Sequence, residues 1–230
     1  MLTMPESEAV IRLWERGERE HPIDRALSIL STFTSETHDT LVATPIHRRD
    51  VMLVASRVAA FGSRIDGVAG CVACGCKIDV SFELPDFSSI ALEDESLIDV
   101  DGRAVRVRVP NSGDLAEAAR VGEPPSAQRL LLARCQPDGF SDETTARAVD
   151  RELERLCDAS SVELKVACPG CEATFIVPVD IGGFFWAEIA AYAAGLIEDV
   201  HLLAAHYGWA EAAILAMPER RRRRYRERLL

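Results

Sequence analysis

Two short segments constrain this chain more than anything else in it. Each carries Cys-x-x-Cys beside an alternating apolar stretch. The first is "GCVACGCKIDVSFEL", with Cys71 and Cys74; the second is "KVACPGCEATFIVPVDI", with Cys168 and Cys171. Counted from the second cysteine of each pair, Ile78 matches Phe175, Val80 matches Val177, Phe82 matches Val179, Glu83 matches Asp180 and Leu84 matches Ile181. A short run of apolar and small residues precedes both pairs. The pattern reads as strand, knuckle, strand, used twice. A two-residue spacer lets both sulfurs of a pair turn to one ion while backbone N–H groups point at them. Two such hairpins, facing each other, place four thiolates around one Zn²⁺, which takes four tetrahedral ligands when its role is structural. The spacing therefore predicts one structural zinc per chain, held by Cys71, Cys74, Cys168 and Cys171.

The competing readings are a redox pair and a ribbon of the same shape that has lost its metal. Thioredoxin-type chemistry fails on context, because neither pair opens a helix after a strand in a βαβ unit. Gly75, directly after Cys74, suits a tight turn, since glycine reaches positive φ without a steric penalty. Glu172 stands at that place in the second knuckle. Cys76 is expected to pack as a small residue of the outgoing strand, and Cys135 and Cys157 as core residues of helices.

Helical patterns surround the knuckles. "PESEAVIRLWERGE" has apolar residues at 9, 10, 13 and 14, and "PIDRALSILSTF" at 23, 26, 27, 29 and 30. A third stretch starts after Thr44-Pro45 and stops at Gly62. After the first knuckle, "LIDVDGRAVRVRVP" alternates around Asp101-Gly102, a strong hairpin signal. Val105, Val107 and Val109 are expected on one face, with Arg106 and Arg108 in solvent. Helices follow near 112–121, with Ser112 as N-cap, near 124–135, and from Ser141 onward. A long helix spans about 183–206. Gly208 ends it, Trp209 leads into a short helix of about two turns, and Pro218 restarts a final basic one. The fold class is α+β: mostly helical, with two zinc-ribbon-like CxxC hairpins and an extra β-hairpin. The divisions are 1–62 (helices), 63–181 (β region with a helical insertion at about 112–158) and 182–230 (helices with a basic tail). No Gly/Ser-rich spacer separates them, which favours one composite domain.

Charge narrows the function. The formal net charge is −11, yet the tail "ERRRRRYRERLL" holds seven Arg against two Glu. An acidic body disfavours general nucleic-acid binding, which needs a basic face. The acidic N-terminus lacks an apolar signal region, and Glu188, Glu198 and Asp199 interrupt the most apolar segment. These features suggest a cytoplasmic protein with no membrane partner. Phosphate-loop, GxSxG and HExxH motifs are missing. His201 and His206 lie about 140° apart around a helix and make poor co-ligands. A metal with four Cys ligands keeps no open position for water, so the chain is read as no enzyme.

Several blocks in order are also familiar: "RVRVPNSGDL", "CPGC…VPVDIGGFFWAEI" and, most specific, "VHLLAAHYGWAEAAIL…RRRRRY". Together they resemble the T-even-phage baseplate family, the hub assembly chaperones of contractile phage tails and phage-like injection systems. Glu172 departs from the usual knuckle glycine but spares the ligands. The resemblance implies a non-enzymatic role in assembling the baseplate hub, with hub or other tail proteins as partners, possible retention in the finished particle, and no catalytic residues. The tail is then a docking element, with Trp209, Ile214 and Leu215 as a buried contact centre and Arg220, Arg221, Arg222, Arg223, Arg224 and Tyr225 around it. Two alternatives stay open: that the tail clamps this protein's own acidic body, and that the chain is a zinc-ribbon nucleic-acid-binding module.

Overall fold

A 27-residue helix organises the molecule. In the computed structural model, which describes residues 3–137, 139 and 142–229, four helices come first: α1 (Ser7–Gly17), α2 (Pro22–Phe33), α3 (His38–Ala43) and α4 (Ile46–Phe61). The first knuckle hairpin, β1 (Arg64–Gly70) and β2 (Lys77–Glu83), precedes a second hairpin, β3 (Glu95–Val100) and β4 (Arg103–Arg108). Helices α5 (Ser112–Val121), α6 (Pro124–Cys135) and α7 (Glu143–Asp158) lead to the second knuckle hairpin, β5 (Glu163–Ala167) and β6 (Thr174–Pro178). The long helix α8 (Ile181–Tyr207) follows, then α9 (Glu211–Leu215) and α10 (Glu219–Arg226). The class is the expected one, helices with three small antiparallel hairpins. Helix α3 is an addition. It buries only Leu41, so its sequence carries no apolar period, and the Thr37 side chain caps it by accepting from the Thr40 N–H.

Helix α8 buries a stripe of Phe185, Ile189, Ala193, Leu196 and Leu203 at helical spacing. This stripe packs against α1, α2 and α4. The rings of Phe33 and Phe61 meet Phe185 edge-on at 5.1 and 6.1 Å. Each such side chain contributes about 1.5–3 kcal/mol when fully buried. Arg57 of α4 is buried and grips Glu188 of α8 with two hydrogen bonds of 2.9 and 2.6 Å. Among the described residues, no helix is long and apolar enough to cross a membrane.

The segment between the knuckles builds a second core. Val100, Val105, Val107 and Val109 of the middle hairpin pack on Leu132, Cys135, Val149, Leu153 and Leu156. Asp101 and Gly102 both take positive φ, 52° and 79°, as the Asp-Gly turn demands. Two details differ from the sequence reading. The N-cap of α5 is Asn111, not Ser112, because Asn111 and Asp114 form a reciprocal capping box. Arg108 is half-buried rather than in open solvent and donates to the buried Asp114 at 2.7 Å. Ser141 lies outside the described residues; the Asp142 side chain caps α7 by accepting from the Thr145 N–H.

The C-terminal hook is also different. Gly208, at φ 68°, ends α8, and the chain turns back. Tyr207 stacks on Trp209 with ring centroids 4.5 Å apart, and Tyr225 meets both rings, at 5.7 and 4.9 Å. Ile214 and Leu215 are not available as the centre of a partner contact, because they are buried inside the chain, Leu215 in the main core. Arg222 is likewise no surface residue. Only 1% of it is exposed; its Nε donates to Asp199 of α8 at 2.9 Å and one terminal nitrogen to the Met217 carbonyl at 3.1 Å. Arg226 donates to the other oxygen of Asp199 at 2.7 Å. A guanidinium enters a protein interior only with charge and hydrogen bonds matched, and Asp199 supplies both.

Candidate metal centre

The two knuckle hairpins are one unit built twice. Ala69 pairs with Ile78 and Gly70 with Lys77; in the second, Val166 pairs with Phe175 and Ala167 with Thr174. The tips repeat bond for bond. Cys71 N–H donates to the Cys76 carbonyl and Gly75 N–H to the Cys71 carbonyl, at 2.8 and 2.9 Å. Cys168 N–H donates to the Ala173 carbonyl and Glu172 N–H to the Cys168 carbonyl, both at 2.9 Å. The inner faces pack on each other through Ala69, Ile78, Val80, Leu164, Val166, Phe175 and Val177. At the far end, Ile65, Leu84, Val162 and Ile181 run into the main core. The main core therefore anchors both hairpins and brings their tips together.

All four sulfurs of Cys71, Cys74, Cys168 and Cys171 lie within 4.8 Å of one another. Cys71 faces Cys171 and Cys74 faces Cys168, each at 3.6 Å, so these two contacts cross between the hairpins. The four cysteines can hold a metal ion. Among the described residues they are the only such group of three or more ligating side chains. Cys71 and Cys168 are buried, and Cys74 and Cys171 face outward.

Electrostatics divides the thiols the same way. The N–H groups of Cys74 and Ala73 point at the Cys71 sulfur and lower its pKa. Those of Gly170 and Cys171 hold Cys168 down to about 6. At Cys74 the Cys76 N–H pulls downward, but the sulfurs of Cys171, Cys71 and Cys168 outweigh it and push the thiol up to about 12. Cys171 also rises: the Ala173 N–H lowers it, and the Cys71 and Cys168 sulfurs raise it more. Four thiolates this close repel one another unless a cation sits among them, so the free chain keeps protons on the outer pair. A divalent ion displaces those protons on binding.

No family model, curated protein or solved structure matches this chain. The candidate metal centre accordingly stands on its own geometry.

The other residues singled out in the sequence separate cleanly from this cluster. Cys76 is exposed rather than packed, with its sulfur 3.5 Å from the Lys77 carbonyl. Cys135 and Cys157 belong to the second core, as expected. His201 and His206 are both exposed, and the His206 ring meets the Leu202 carbonyl of its own helix at 2.9 Å.

Gly75 and Glu172 occupy equivalent places and share a left-handed backbone, at φ 72° and 61°. Glycine accepts this conformation freely, whereas a residue with a Cβ loses about 1 kcal/mol. Glu172→Gly is expected to raise the melting temperature by roughly 2–4 °C and to leave metal content unchanged. A thermal melt that stays level or falls would show that the Glu172 side chain contributes something that offsets its backbone strain.

Proposed function

We propose that the ion is Zn²⁺ and that the chain is a non-enzymatic assembly factor or structural component of the baseplate hub in a contractile phage tail or phage-like injection system. The zinc assignment draws support from size. A tetrahedron with zinc–sulfur bonds of about 2.3 Å has edges of about 3.8 Å; two sulfur pairs here stand at 3.6 Å and all four sulfurs lie within 4.8 Å of one another. A four-thiolate set fills every zinc position and leaves none for substrate, which suits a staple rather than a catalyst. It joins hairpins that are neighbours in space and far apart in the chain.

The observation that carries the baseplate reading is the most specific block of the resemblance. "VHLLAAHYGWAEAAIL…RRRRRY" folds as one continuous hook on the end of α8, with its aromatic residues packed together and part of its arginine run left outside. Such a hook suits a protein that works by docking to another. The reading implies action in the bacterial cytoplasm, where tails are built.

Co-expression with the neighbouring genes, followed by pull-down, is expected to recover a stable complex with a hub or other tail subunit. Deleting the gene should leave tubes or sheaths without a working baseplate. Intact, infective or injecting particles from the deletion strain would end the assembly reading.

A further inference from the structure

The five consecutive arginines of α10 divide by helical angle. At 100° per residue, Arg222 and Arg226 fall within 40° of each other and face Asp199. Arg220, Arg221 and Arg224 lie within a 100° arc on the other side, and Arg228 follows in the turn after the helix. These four are exposed, and none forms an ion pair among the described residues. Arg223, by contrast, is paired with Glu227 at 3.0 Å. Arg220 and Arg224, one turn apart, repel each other, and so do Arg224 and Arg228. The clamp to Asp199 fixes this unneutralised face in place and prevents the helix from rolling to relieve it.

We propose that this outward arginine face is a docking surface for an acidic protein segment, one that presents Asp or Glu carboxylates at the pitch of a helical turn. The inference rests on the reading of this chain as a protein-binding component and names the chemistry of what it binds. Carboxylates on a partner helix can meet the guanidinium forks in pairs, the geometry in which arginine binds best. Nucleic acid fits less well. The rest of the chain is strongly acidic, and Glu219 and Glu227 flank the arginines. Tyr207, Trp209 and Tyr225 pack on one another instead of standing apart as platforms on which bases stack.

The test uses the full-length, metal-loaded protein and two labelled probes, a short glutamate-rich helical peptide and a DNA duplex of similar length. The peptide should bind, and more weakly as salt rises, because exposed charges are screened over about 8 Å at physiological ionic strength. Replacing Arg220, Arg221, Arg224 and Arg228 together with Gln should weaken peptide binding about tenfold or more. Replacing four exposed arginines elsewhere, Arg103, Arg106, Arg129 and Arg151, should change it by no more than about twofold. Arg224→Gln alone, which leaves the clamp untouched, should give an intermediate loss. Equal losses in both quadruple variants, tighter binding to the duplex than to the peptide, or no peptide binding at low salt would each overturn the proposal. A deletion strain that makes intact particles would remove the baseplate role without touching the peptide result, so the two failures are distinguishable.

Discussion

Replacing Cys168 with Ser, or stripping the metal with a chelator, is expected to lower the melting temperature by roughly 10–20 °C. The reason is loop closure. Cys74 and Cys168 are 94 positions apart, and Cys71 and Cys171 are 100 apart. Linking points this distant removes about 4–5 kcal/mol of entropy from the unfolded chain, on the same account that applies to a disulfide. Elemental analysis should find one zinc per chain, and correctly folded protein with none would sink the assignment. Cys76→Ser should keep the metal, since Cys76 stands outside the four-sulfur cluster. Affinity for the metal should fall as pH falls. Cys74 and Cys171 hold their protons more tightly than a free thiol does, so protons compete with the ion ever more strongly in acid. Titration with a chromophoric zinc chelator at several pH values measures this slope.

The four-cysteine cluster was legible because it is built from a repeat. Two copies of one local pattern each specify a turn, and flanks of matching pattern imply matching registers. Local geometry shapes each knuckle, and the match extends from the cysteines to Leu84 and Ile181, whose burial in the main core brings the two tips together. The long helix and the middle hairpin were legible for similar reasons, apolar periodicity and an Asp-Gly turn. Three other features were not. Helix α3 buries one residue and has no period to detect. Asn111 wins the cap of α5 from Ser112 through a reciprocal bond that depends on Asp114 lying at the right turn. The division of the arginine run was hidden for a deeper reason. A run of like residues has no pattern of its own, so its inner and outer members are set by a carboxylate 23 positions earlier in the sequence. The available sign was the acids inside the most apolar segment of the chain, Asp199 among them with Glu188 and Glu198. A charge in such a place needs a partner, and the nearest cationic stretch is the tail.

Arg222 should accordingly be the most sensitive position of the tail. In Arg222→Ala the Asp199 carboxylate, whose side chain is only 8% exposed, keeps Arg226 but loses its buried partner. Breaking a buried pair from one side costs about 3–5 kcal/mol, because the remaining charge stays desolvated. That corresponds to a fall in melting temperature of roughly 10 °C. Removal of residues 219–230 should do at least as much, contrary to the view of the tail as a purely external docking element. Arg220→Ala or Arg224→Ala, on the outward face, should change stability by no more than about 0.5 kcal/mol. Salt separates the two groups again. The Arg222 effect should persist at high ionic strength, since buried charges are poorly screened, whereas binding through the outward face should not. A double-mutant cycle with Asp199→Ala settles whether the effect belongs to the pair. The double variant should be less destabilised than the sum of the singles, by about 1–3 kcal/mol. Strict additivity would mean that Arg222 acts through its bonds to the Met217 carbonyl and Ser7 and that the ion pair contributes nothing.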